Sequence, residues 1–177
     1  MENLCGDYEE NYKAELEKSI MIKIQGAFSC LLSELGSNEL FKMLIKDKAR
    51  VRISLEKINS DIAGSIIKAV NCGTKIISFA ESSAMPDIIG EANYREFVAF
   101  PTISLFKSVE NSIENSLIHI CPRCSIQLER YGLIDAIGHH VENKNYIEIL
   151  KDSNYKFVGH NCINRKNVDE LYEIRLR

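Results

Sequence analysis

Ser116-Leu117-Ile118-His119-Ile120-Cys121, followed by Pro122-Arg123-Cys124, is the stretch on which the reading of this chain turns. Side chains two apart in a strand share a face, so Ile118 and Ile120 fall on one side and His119 and Cys121 on the other. The run is short and apolar and is cut by a proline, the pattern of a buried strand that feeds the first turn of a helix. His119 and Cys121 then stand together at the carboxyl end of the strand as two soft metal ligands, half of a zinc site. Two other readings of the same residues stay open. One is a core cysteine beside a hydrogen-bonded histidine, and the other is a Cys-x-x-Cys redox pair made by Cys121 and Cys124.

The alternation of strand and helix continues on either side of this stretch. Strand-like runs are Ile20–Ile24, ending at Gly26, then Lys75–Phe79, Leu117–Cys121, Leu133–Ile137 and Lys156–Gly159. Helices are expected over Asn38–Asp47 and over Ala49–Cys72, where Val51, Leu55, Ile58, Ile62, Ile66 and Val70 form an apolar stripe that Gly73 can end. A further helix starts at Glu91, is broken by Pro101 and continues through Leu105, Phe106 and Val109. Shorter helices are expected over Ser125–Tyr131, Lys144–Lys151 and Asn167–Arg175.

Five strands, each followed by a helix, indicate an α/β protein with a mainly parallel sheet. The chain has 177 residues, enough for one domain with a sizeable core. A closed (β/α)8 barrel takes about 250 residues, so about five strands make a partial, unclosed barrel. An open sheet has two edges and one uncovered face. The cover is expected from a second copy of the chain, from a companion subunit or from the N-terminal segment, residues 1–19. There Tyr8, Tyr12 and Leu16, with Ile20, follow helical spacing, and residues 20–177 form the barrel domain.

Composition narrows the partners. A net charge of −3 and the lack of a Lys/Arg cluster give no electrostatic case for nucleic acid. No run reaches the roughly twenty apolar residues of a membrane span, and the acidic start is unlike a signal peptide, so a cytoplasmic protein is expected. Six cysteines in such a setting read as thiols or metal ligands rather than disulfides.

In α/β sheets the chemistry collects at the carboxyl ends of the strands. Those ends here carry Glu81, then His119 and Cys121, then His139, His140 and Glu142, then His160 and Cys162. Convergence of these groups on one rim is what a metal site requires.

The segment Phe79-Ala-Glu-Ser-Ser-Ala-Met-Pro-Asp-Ile-Ile-Gly-Glu-Ala-Asn-Tyr-Arg-Glu-Phe97 resembles the uroporphyrinogen decarboxylase superfamily, and within it the zinc-dependent methylcobamide:coenzyme M methyltransferases. The likeness runs on through Leu117–Cys121, Gly132–Glu142 and Val158-Gly159, and back to Gln25-Gly-Ala-Phe28. It implies a barrel whose His119 and Cys121 bind zinc. A small thiol such as coenzyme M would bind this zinc and accept a methyl group from a corrinoid carried on a partner protein. Zinc favours the thiolate form of such an acceptor. Glu81 and Glu142 match acidic positions beside the metal, as catalytic or orienting groups, and His160 is the candidate to meet the cofactor. The family's third ligand is a cysteine on the last barrel strand, which has no counterpart in this sequence, so Cys162, or else Cys124, is expected in its place. The arginine-rich segment with which the decarboxylases handle porphyrinogen carboxylates is not found either, which makes porphyrinogen decarboxylation the lesser expectation. The alternative to an enzyme is a non-catalytic open barrel that partners a corrinoid protein or a full-length relative.

Overall fold

A computed structural model describes residues 20–81 and 83–177. The proposed helix of residues 1–19 lies outside the described residues. Strand β1 (Met21–Gln25) leads into α1 (Ala27–Leu35), α2 (Ser37–Lys46) and the long α3 (Lys48–Asn71). Next come β2 (Ile76–Ala80), the short α4 (Pro86–Ile89) and α5 (Glu91–Tyr94), a π-helical turn (Arg95–Ala99) and α6 (Phe100–Val109). Strand β3 (Leu117–Ile120), α7 (Pro122–Arg130), β4 (Ile134–Asn145), α8 (Tyr146–Asp152), β5 (Phe157–Gly159) and β6 (Asn167–Leu176) complete the chain.

The six strands form one sheet in the order β1-β2-β3-β5-β6-β4, open at both ends. Strands β1, β2, β3 and β5 are parallel, whereas β6 runs antiparallel to both β5 and β4. This is an α/β fold with a mostly parallel, unclosed sheet, a barrel taken part of the way round. Strands β2, β3 and β5 are buried along almost their whole length, as expected of parallel strands covered on both faces.

Local chemistry explains the helices. The Asp47 carboxylate accepts the Arg50 backbone N–H and caps α3, which buries Val51, Leu55, Ile62 and Ile66 and ends before Gly73 at φ 88°. The break expected at Pro101 is a π turn instead. The Phe100 N–H reaches back to the Arg95 carbonyl, and the proline, which has no N–H to offer, then falls in the first turn of α6.

The main core lies between the helices and one face of the sheet, with Ile22, Ile24, Ile77, Phe79, Ile118, Ile120 and Phe157 against α1, α3, α6 and α7. A smaller core covers the opposite face, where Ile76, Leu117 and Val158 meet Tyr146 and Leu150 of α8 and Val168 and Leu171 of β6. Over β2, β3 and β5 that face is therefore covered from within the chain, while Lys23 and Gln25 of β1 stay exposed on it.

Two expectations are corrected here. Residues 167–175 form a strand, not a helix. Their buried positions, Val168, Leu171 and Ile174, are three apart and imitate a helical stripe. The spacing arises because Ile174 packs in the main core while Val168 and Leu171 pack in the smaller one, with a register shift in the β4 pairing between His140 and Lys144. Nor does β4 end near Ile137. It runs to Asn145 and lies at the outer edge, beyond β6, so β3 pairs directly with β5.

Candidate functional site

Glu81 follows β2 and is 2% exposed. The N-terminus of α1 offers several orphan donors, but its cap, Gly26, has no side chain. Glu81 supplies what is missing. Its Oε2 accepts the Phe28 N–H at 3.0 Å and its Oε1 the Ser29 N–H at 3.0 Å, and the Ser29 hydroxyl also donates to Oε1. A Cβ on Gly26 would stand 2.3 Å from Oε2, which is why a glycine occupies this position. Burial raises the pKa of the Glu81 carboxyl, against the opposing pull of the Ser29 and Phe28 hydrogen bonds.

His119 is 1% exposed and points to the face covered by α8, its ring edge-on to Tyr146 at 5.9 Å. Its Nε2 lies 2.8 Å from the Asn161 carbonyl oxygen. A carbonyl only accepts, so Nε2 carries the proton and Nδ1 accepts from the Ser78 hydroxyl at 3.3 Å. Burial holds the His119 pKa below its ordinary value, partly offset by the Asn161 carbonyl. Asn161 is itself fixed by its Nδ2, which donates to the Glu170 carbonyl at 2.7 Å, and by its Oδ1, which accepts from Arg165 at 3.1 Å.

The cysteines stand in different settings. Cys121 is the N-cap of α7, half-buried, with its N–H bonded to the Phe79 carbonyl at 2.9 Å. Cys124, in the first turn of α7, packs in the main core on the helix side of the sheet, away from the face that His119 shares with α8. Burial raises its thiol pKa strongly, and the charges of Glu81 and Cys121 add to this. Cys162 is exposed, and its charge adds to the burial that raises the pKa of the Tyr146 hydroxyl. Among the described residues no group of three His, Cys, Asp or Glu side chains is placed to hold a metal ion. With both imidazole nitrogens of His119 engaged, the donor set as arranged does not fit a three-ligand zinc centre.

His139, His140 and Glu142 do not stand at the strand-end rim. They lie within β4, which β5 and β6 separate from β3. His139 pairs with Glu173 at 3.2 Å and stacks on Tyr155. Glu142 is exposed and pairs with Lys144 at 2.6 Å. The placement expected for Glu142 beside His119 is thus corrected, because β4 has left the position between β3 and β5.

His160 does lie at the rim, in a left-handed conformation with φ 65° that a non-glycine residue adopts at some cost. Its Nε2 pairs with Glu129 at 2.9 Å, its ring stacks on Tyr172, and its N–H donates to the Ser125 hydroxyl at 3.0 Å. Among the described residues its buried Nδ1 has no hydrogen-bond partner. Sequence reasoning missed Ser78, Ser125, Glu129 and Asn161. The signal it could have used for Asn161 is a polar residue two past an all-buried strand, where a buried amide needs fixed partners.

A mostly parallel α/β sheet, left open, with Glu81 and Asn161 buried just past the carboxyl ends of β2 and β5, is that of a partial, unclosed (β/α)8-barrel-like chain. The family model described as Uroporphyrinogen decarboxylase (URO-D) matches residues 14–163, most of the sequence, and the chain belongs to that family. No curated protein and no solved structure matches it. Among the described residues no helix is long and apolar enough to cross a membrane.

Proposed function

We propose that this member of the uroporphyrinogen decarboxylase family is a non-catalytic barrel protein, one that partners a corrinoid protein or a closed-barrel relative rather than performing zinc-dependent methyl transfer by itself. The observation that carries the reading is His119. The histidine matching a zinc ligand spends Nε2 on the Asn161 carbonyl and Nδ1 on the Ser78 hydroxyl. Two further placements support it: Glu81 is committed to the N-terminus of α1, and Glu142 pairs with Lys144 on the outer strand.

A second reading keeps the chain as a methyltransferase of the methylcobamide:coenzyme M type, with His119, Cys121 and Cys162 or Cys124 as zinc ligands. One detail favours it. Histidines that bind metals commonly donate their other ring N–H to a carbonyl, as His119 does to Asn161, which leaves Nδ1 with its lone pair. Binding through Nδ1 would require Ser78 to yield.

Zinc analysis separates the two readings. The protein is equilibrated with zinc, passed through metal-free buffer and measured for metal per chain, alongside Cys121→Ala and His119→Ala. The proposal expects no retained zinc in the parent. Near-stoichiometric zinc that disappears in both variants would establish the second reading instead.

A further inference from the structure

Cys121-Pro122-Arg123-Cys124 takes no part in the hydrogen bonds around His119 or Glu81, yet the fold places it with care. Strand β3 ends at Ile120, Cys121 caps α7, and Cys124 occupies the first helical turn with its N–H donating to the Cys121 carbonyl at 2.9 Å. Side chains three apart on a helix have Cβ atoms about 5–6 Å apart. A disulfide takes about 3.5–4.5 Å, so closing the bond asks only for an adjustment within that one turn. Pro122 fixes φ at the first helical position and so presets the turn.

The two thiols differ in access. Cys121 is only part-buried and sits at the positive end of the helix dipole. Cys124 is 1% exposed and sealed in the core. A part-buried sulfur at the cap and a buried one a turn later are the two parts that thiol–disulfide exchange needs, an attacking thiol and a resolving thiol.

We propose that Cys121 and Cys124 form a reversible dithiol–disulfide couple that exchanges with low-molecular-weight disulfides. Cys121 sulfur, as thiolate, attacks one sulfur of the external disulfide. The external S–S bond breaks, a mixed disulfide forms at Cys121, and the first small thiolate leaves and takes up the proton that Cys121 gave up. Cys124 sulfur then attacks Cys121 sulfur. The mixed disulfide breaks, the Cys121–Cys124 bond forms, and the Cys124 proton leaves with the second small thiol. The protein dithiol is oxidised by two electrons, and the external disulfide is reduced to two thiols.

The test uses the full chain with glutathione disulfide as probe, in buffer containing a chelator, followed by digestion without reductant and mass spectrometry. Arg123 lies between the two cysteines, so trypsin leaves two peptides that only a Cys121–Cys124 disulfide can join. The expected result is that joined pair, separated again by dithiothreitol. Cys124→Ser should hold one glutathione at Cys121, and Cys121→Ser should leave Cys124 unmodified. A parent that stays reduced, or that carries glutathione on Cys121 without closing, overturns the proposal. So does a Cys121→Ser chain whose Cys124 takes up glutathione as readily as Cys121 does. If Cys124→Ser fails to fold, the peptide map of the parent decides.

Discussion

Residues 21–130 and residues 134–176 are built from similar material and obey different rules. In the first region each strand pairs with the next parallel strand, and the helices between them pack on one face of the sheet. In the second, β4 is passed over and ends at the outer edge, α8 crosses to the opposite face, and an antiparallel strand joins β5 to β4. The family match ends at residue 163, before β6 begins at Asn167. The strand that holds β4 outside the parallel series is thus the one beyond the matched segment. A sheet's order is decided by whichever partner satisfies the most backbone groups, and β6 offers β4 a pairing along most of its length.

The largest effect should come from removing β6. Ending the chain at Ile163 exposes the surfaces buried by Val168, Leu171 and Ile174, each worth about 1.5–3 kcal/mol, and strips pairing from two strands at once. Against a stability of about 5–15 kcal/mol for a typical domain, that loss should abolish cooperative unfolding, as followed by circular dichroism in urea. A shortened chain that still unfolds cooperatively, with the β4 amides protected from hydrogen exchange, would show that β4 does not depend on β6 and would break the contrast between the two regions.

Next in size is the contact that closes the regular region on itself. Glu81→Ala leaves the Phe28 and Ser29 N–H groups and the Ser29 hydroxyl without their acceptor in a buried place, a cost of about 2–4 kcal/mol. Gly26→Ala drives a methyl into the same carboxylate and should cost about 1–3 kcal/mol. Urea midpoints measure both. If Glu81→Ala is as stable as the parent, the carboxylate is not the cap of α1 and becomes available for the rim chemistry first expected of it.

The first region was legible because its signals are local. The apolar stripe of α3 ends at Gly73, the strand Leu117–Ile120 ends at Pro122, and both are written within one element. The second region was not, because its order depends on a competition between distant partners. The three-residue spacing of Val168, Leu171 and Ile174 fits a helix as well as a strand that touches two cores, and only the pairing with β4 separates the two. The site divides in the same way. His119, Cys121 and Glu81 were found from strand ends in the regular part. Their partners Asn161 and Ser78 are an ordinary Asn and Ser until the fold brings them within hydrogen-bond distance of His119.

His119 offers a smaller test, in which pH reports on the seam between the regions. Burial holds its folded-state pKa below that of a free imidazole, so the fold favours the neutral ring. A depressed histidine contributes stability that is present above its unfolded pKa and is lost as pH falls through the folded one. The parent should therefore lose stability between pH 7.5 and pH 5 by more than His119→Phe does, because the phenyl ring has no proton to gain. Comparing the change in urea midpoint for the two chains cancels the histidines they share. Equal changes would mean that the buried ring does not titrate in this window and that burial does not hold it neutral.

The smallest effect is expected at Glu142, and its smallness is the point. In a regular barrel β4 would stand between β3 and β5, and a carboxylate near its end would face His119. Here Glu142 is exposed on the outer strand, held by Lys144, whose hydrogen bond and charge lower its pKa. An exposed pair of this kind is screened by solvent and contributes little to stability. Glu142→Gln should leave the urea midpoint, the zinc content and the exchange of Cys121 with glutathione disulfide where they are in the parent. A change in zinc content or in thiol exchange would place Glu142 near the rim, which requires β4 beside β3, and the second region would then follow the same rule as the first.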